Sequence, residues 1–190
     1  MKIGKDVFIH EDAWIKQKEG SKIGNHVAID KGVQFSTKVD IGDYVHIAPY
    51  VVTIGGKTRT VTFKDFSFCA AGTKVVAGSE DYTGAGLVGP TIPEKMRKLI
   101  FADVTFEKYS GCGVNCSIMP GVTFGEGAIL GANSLAVKDL ESWTIYVGSP
   151  AKPVKKRNKE IIFIHMEKKG LIKLFSIIFL LILVIQIFNS

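Results

Sequence analysis

The sequence predicts an all-β solenoid, in which short strands wind into triangular coils that stack on one another. Three observations carry that prediction. Apolar residues recur at a strict step of six through Phe106, Cys112, Ile118, Phe124, Leu130 and Ala136. The same step runs through Ile23, Ile29, Phe35, Ile41 and Ile47. The fifth place of each of those hexads is Val, at Val27, Val33, Val39, Val45 and Val51. A period of six fits neither the 3.6 of a helix nor a long alternating strand. It fits a short strand, a corner and another short strand, so that three sixes make one coil, with two inward places per six filled by residues suited to strands. Such a unit cannot bury its own apolar face and must stack on copies of itself. Neighbouring coils then satisfy one another's backbone N–H and C=O groups.

From the N-terminus, the pattern opens with Ile3-Gly4-Lys5-Asp6-Val7-Phe8 and Ile9, stumbles at Gln17–Ser21, and resumes at Ile23. It breaks between Thr53 and Thr62, where Gly55-Gly56-Lys57-Thr58-Arg59 reads as a small polar bulge out of one corner. It recovers at Phe63, Cys69 and Val75 before the longest break, 79–103, which holds Gly84, Gly86, Gly89, Pro90 and Pro93. Repeats tolerate insertions only on their outside, and a loop of that length in a compact solenoid is expected to carry the binding surface. The sixes from Phe106 then close the stack. One solenoid domain over 1–150, with an external loop at 79–103 and a basic and apolar helical tail over 151–190, is the expected organisation.

Charge is unevenly placed. The formal net charge is +6, yet the stretch 152–173 holds eight of the 24 basic residues and two of the 18 acidic ones, which leaves the repeat body with 16 of each sign. A protein that tracks phosphates spreads Lys and Arg along a face, so no nucleic-acid partner is expected. The three cysteines form no even set and the N-terminus has no secretory signal, which points to a reducing cytoplasm. Cys69 and Cys112 fall on inward repeat places and read as small buried hydrophobes. Cys112 and Cys116 lack a second ligand pair at a metal-binding spacing, so no metal is expected.

The run from Ile118-Met119-Pro120-Gly121-Val122 through Gly131-Ala132-Asn133-Ser134 and Lys138-Asp139 to Gly148-Ser149-Pro150-Ala151-Lys152 resembles the hexapeptide-repeat acyltransferases, specifically their CoA-dependent sugar O- and N-acetyltransferase branch. The resemblance implies a left-handed parallel β-helix, a homotrimer with active sites between subunits, and acetyl-CoA as co-substrate. It places the cofactor at Gly131 and Ala132, small enough for an extended pantetheine arm to approach a coil edge, at Lys152, Lys155 and Arg157, where the family holds the CoA phosphates, and at Lys138, another family position near the same cofactor. The acceptor implied is a sugar or nucleotide-linked amino sugar of surface-polysaccharide synthesis.

The acceptor side departs from the family. Where the O-acetyltransferases place a His as general base, this chain reads Ala77-Gly78-Ser79-Glu80-Asp81-Tyr82, without one. Three catalytic candidates remain. Glu80 and Asp81 head the long loop, and His46 lies in the aromatic-flanked Tyr44-Val45-His46-Ile47-Ala48-Pro49-Tyr50, where an imidazole is a candidate general base. His46 and the acidic pair fall on different corners of one chain and meet only across a subunit boundary. Alternatively, the acceptor is an amine, which needs less help than a hydroxyl once it sheds its proton; a separate reading makes the loop a structural lid whose carboxylates only cap backbone N–H groups. His10 and His26 read as idle corner residues.

From Leu171 to Phe188 the chain is apolar apart from Lys173, Ser176 and Gln186. A run of that length is at the lower limit for a bilayer span, and the preceding Lys168-Lys169 would keep the body on the cytoplasmic face of an inner membrane. A trimer-packing helix is the other reading. Two further functions on the same scaffold are a zinc carbonic anhydrase, for which the coils offer no three-His set, and a non-catalytic trimeric assembly module.

Overall fold

The computed structural model describes residues 1–160 and 162. Met1–Arg157 form one compact unit, a three-sided parallel solenoid of about seven coils. The first face stacks Lys2–Ile3, Lys22–Ile23, Lys38–Ile41, Thr60–Phe63, Val104–Phe106 and Thr123–Phe124. The second runs from Phe8–Ile9 through Ala28–Ile29, His46–Ile47, Phe68–Cys69, Gly111–Cys112 and Ile129–Leu130 to Thr144–Gly148. The third stacks Trp14–Ile15, Gln34–Phe35, Val52–Ile54, Lys74–Val76, Ser117–Ile118 and Leu135–Ala136.

Register follows the hexads. Ile23 pairs with Ile41, Ile41 with Phe63, Phe63 with Phe106 and Phe106 with Phe124. Like side chains therefore lie over like, and the three phenyl rings stack with centroids 4.8 and 4.3 Å apart inside the core. All five of the Val places are buried. The third face carries one inward polar residue, Thr53, whose hydroxyl is satisfied by that of Thr37 at 2.8 Å. Cys69 and Cys112 stack on the second face with Sγ atoms 3.4 Å apart, and Cys116 is buried as well. Its hydrogen bonding with Cys112, and then burial, push the Cys116 thiol far up, so it supplies no thiolate nucleophile.

The corners are of two kinds. Every connection from first face to second is four residues, from 4–7 to 125–128, and so is every connection from second to third, from 10–13 to 131–134. The connections from third face back to first vary: 16–21, 36–37, 55–59, 77–103 and 119–122. All irregularity in the repeat thus leaves the solenoid along one vertex. On the vertex between the first and second faces the left-handed corner residue is an aromatic ring in five coils, His26, Tyr44, Phe66, Tyr109 and Trp143, with φ between 54 and 62°. That conformation costs a non-glycine residue of order 1–3 kcal/mol, and ring stacking at 4.6, 5.0 and 5.2 Å offsets it. Gly127 interrupts the column at φ 68° because a Cβ there would lie 2.5 Å from the Trp143 ring.

The domain boundary expected at residue 150 needs correction. Ala151–Lys156 is a strand, antiparallel to Thr144–Gly148, and belongs to the solenoid. It covers the open edge of the last coil, whose N–H and C=O groups would otherwise stay unpaired. The expected tail beyond residue 162, including the apolar run 171–188, lies outside the described residues.

Candidate active site

Two clefts lie along the variable vertex. The first, of about 300 Å³, is lined by Ala136–Leu140, Tyr146 and Pro150–Pro153. It brings Lys138 and Lys152 together, although the sequence separates them, because the terminal strand doubles back on the last coil. The second, of about 770 Å³, lies under the long excursion. Its floor comes from successive coils, with Ile54-Gly55-Gly56, Val76 and Met119, and its wall from Ser79, Glu80, Tyr82, Pro90, Arg97, Leu99 and Phe101. The two clefts adjoin where Met119 donates its backbone N–H to the carbonyl of Ala136, next to Val137.

The excursion has a built stem. Gly78–Glu80 pairs antiparallel with Leu99–Phe101, and Gly78 has no side chain because the Phe101 ring occupies that space. Glu80 fastens the stem. Its Oε2 accepts from the Gly89 N–H at 2.6 Å and its Oε1 from the Arg97 guanidinium at 3.1 Å. Both carboxylate oxygens therefore face a donor. Asp81 accepts from the backbone N–H and hydroxyl of Thr83, at 2.7 and 2.5 Å. Those hydrogen bonds hold its pKa below the usual carboxylate range. Of the two acidic candidates, Glu80 lines the pocket and Asp81 does not, and both are spent on loop geometry.

His46 lies elsewhere, on the flat second face rather than at a corner, and does not line the pocket. Its Nε2 is 2.8 Å from Oδ2 of Asp30. An ionised carboxylate only accepts, so Nε2 carries a hydrogen, and in the neutral ring Nδ1 then holds the lone pair. His26 stacks on Tyr44, and His10 Nδ1 accepts the Asp12 N–H.

The cofactor candidates divide in the same way. Lys138 and Lys152 share the first cleft. Lys155 is exposed on the terminal strand, opposite Ile145. Gly131 and Ala132 form the corner before the last strand of the third face, and a Cβ at Gly131 would lie 2.8 Å from Val147. Arg157 is the correction. Its guanidinium donates to the carbonyls of Tyr109 and Gly127, at 2.7 and 3.0 Å, and lies over the Trp143 ring. It ties the terminal strand to the aromatic column instead of projecting toward a ligand. Among the described residues no cluster of three or more potential ligands could hold a metal ion.

A triangular parallel coil is the architecture of the hexapeptide-repeat transferases. Residues 20–55 match the family described as bacterial transferase hexapeptide (six repeats). The chain is 33% identical over 164 residues to the dTDP-4-amino-4,6-dideoxy-D-glucose acyltransferase of Escherichia coli, covering 84% of each. It therefore belongs to this family, as an acyltransferase with a left-handed β-helix. A putative lipopolysaccharide biosynthesis O-acetyl transferase, WbbJ of Escherichia coli strain K12, is 31% identical over 80% of this chain and 77% of its own length. Among solved structures, AntD, an N-acyltransferase from Bacillus cereus, in complex with dTDP and 3-hydroxybutyryl-CoA, superposes with a TM-score of 0.85. It is 35% identical, with 90% of this chain and 91% of AntD covered.

Arg97, Asp30 and Met119 are site residues that the sequence alone does not single out. Arg97 and Asp30 are found only through contacts. Met119 is legible in retrospect, since it follows the inward Ile118 as Ile54, Val76 and Val137 follow the inward places of their own coils.

Proposed function

We propose that the protein transfers an acyl group from acyl-CoA to the amino group of a nucleotide-linked amino sugar, as a step in surface-polysaccharide synthesis. The observation that carries this is the pair of adjoining clefts on one edge, one holding two lysines and the other roofed by a loop. The relatives supply the chemistry: AntD is bound to acyl-CoA and dTDP in one structure, and an AntD variant is bound to dTDP-4-amino-4,6-dideoxyglucose and coenzyme A in another.

In this reading Lys138 and Lys152 face the cofactor phosphates, where a charge-assisted hydrogen bond contributes about 1.5–3 kcal/mol. The neutral amine's lone pair attacks the thioester carbonyl carbon, the C–S bond breaks, and the CoA thiolate departs. The nitrogen's surplus proton goes to solvent or to a base. An amine suits a pocket whose Glu80 carboxylate is already engaged, since it needs positioning more than deprotonation. The working assembly is a homotrimer, in which His46, backed by Asp30, faces an adjacent protomer's pocket and takes that proton through Nδ1. The apolar run 171–188 holds the enzyme to the cytoplasmic face of the membrane, where lipid-linked glycans are assembled, and truncation after Arg157 then moves it to the soluble fraction.

The test is thiol release from acyl-CoA with dTDP-4-amino-4,6-dideoxyglucose and with the corresponding 4-hydroxy sugar. An N-acylated product by mass supports the proposal, and turnover with the hydroxy sugar alone turns it to O-acylation. No thiol release with either leaves the non-catalytic assembly module as the better account.

A further inference from the structure

The second cleft is divided by chemistry. Ser79, Glu80, Tyr82 and Arg97 give it polar groups on the loop side. The coil side is apolar, a column of outward residues at equivalent places in successive coils: Ile54, Val76 and Met119 in this cleft, then Val137 in the lysine-bearing cleft. Register makes the column continuous. Val76 pairs with Ile54 across the third face, and Ile118 with Ala136 directly before Met119 and Val137. Coils in a parallel sheet lie about 4.8 Å apart, so the four side chains make a strip on the order of 14 Å long. Leu99 and Phe101 wall it on the stem side. An amino sugar has no use for such a surface, and an acetyl methyl covers only a small part of it.

We propose that this strip holds the acyl chain of the donor, that the enzyme takes linear acyl groups longer than acetyl in preference to acetyl, and that Met119 forms the entrance to it. The proposal rests on the acyltransferase reading above. A thioester delivered from the lysine-bearing cleft to an acceptor under the loop must cross the boundary between the two clefts, and Met119 stands at that boundary with its side chain partly buried against the core. The sugar then keeps the polar half, and the acyl tail lies along the apolar half. Met is unbranched and adaptable, so it offers apolar surface at the entrance without fixing a single chain shape. Each methylene matched or rejected by an apolar pocket is worth about 10-fold or more in discrimination.

The test uses the full chain and a series of acetyl-, butyryl- and hexanoyl-CoA, measured in two ways. Dissociation constants by calorimetry need no acceptor, and kcat/KM by thiol release uses dTDP-4-amino-4,6-dideoxyglucose. Wild type should prefer butyryl over acetyl by about 10-fold or more. Met119→Ala, which removes apolar surface from the entrance, and Met119→Phe, which narrows it, should each lower that preference by about 10-fold, both with unchanged circular dichroism. A wild type that prefers acetyl, or donor ratios that neither variant moves, overturns the proposal while leaving the acyltransferase reading intact. Failure of wild type to bind any of the three thioesters overturns that reading and this proposal with it. If Met119→Phe does not fold, the Met119→Ala ratios decide alone.

Discussion

Replacing Glu80 by Gln separates two roles for that carboxylate. It accepts from the Gly89 N–H and from Arg97, and the two side chains of the ion pair are only 14% and 17% exposed. Glutamine has nearly the same shape, yet its one carbonyl oxygen serves one of the two donors while its NH₂ group meets the other as a second donor. One charge-assisted hydrogen bond is lost, about 1.5–3 kcal/mol. The loss falls on the excursion, because Gly78–Glu80 and Leu99–Phe101 pair outside the three stacked faces. At about 1.4 kcal/mol per factor of ten, the apparent KM for the acceptor should rise roughly 10- to 100-fold. Turnover at saturation should stay within a few-fold of wild type, and the melting midpoint of the solenoid should barely move. A general base behaves differently, since its loss costs about 10²–10⁴-fold in rate. Initial rates of thiol release against acceptor concentration at saturating acyl-CoA, with limited proteolysis of the loop alongside, make the distinction. Loss of turnover on that general-base scale with the acceptor constant unchanged, in a variant whose loop resists protease as wild type does, would refute the positioning role and make Glu80 the base.

Lys138→Ala and Lys152→Ala should each raise the apparent KM for acyl-CoA by roughly 10-fold or more through loss of a charged hydrogen bond. Arg157→Ala should leave that constant alone and lower the unfolding midpoint, because it removes two hydrogen bonds to the carbonyls of Tyr109 and Gly127. Asp65 offers a pH-dependent test: hydrogen bonding with Lys108 lowers its pKa, and it also accepts the Asp43 N–H. A depressed carboxylate stabilises the fold above its unfolded pKa of about 3.9 and loses that contribution as pH falls through the lower folded value. Asp65→Asn should therefore be less stable than wild type at pH 7, by roughly 1 kcal/mol or less for so exposed a pair. The gap should close toward pH 3, and a gap that persists there assigns the effect to packing.

The stack was legible because its cause is periodic. Phe63, Phe106 and Phe124 sit at places that counting by sixes assigns to the core, and no long-range information is needed to find them. The excursion was legible as an interruption, with its two glycines and proline around position 89. Its stem was not, because the pairing of Glu80 with Leu99 and the bond to Arg97 depend on how a loop returns, and no period records that. Arg157 failed for a related reason: as one basic residue among several in a basic segment, it is told apart only by the carbonyls within its reach. The corner aromatics were hidden differently, since Tyr44 and Phe66 occupy places where composition alone would suggest Asn or Gly.

The two constant vertices also bear on inheritance. An extra residue at either would rotate every following coil and scramble the stacking of side chains on all three faces, so a lineage can alter those corners only by substitution. The third vertex carries no such penalty, since chain of any length can leave the third face and re-enter the first in register, as 36–37 and 77–103 both do. The prism thus behaves like a socket with a standard fitting. New acceptor preferences can be acquired by exchanging the segment between Ala77 and Val104 as a cassette while the stacked core stays as it is.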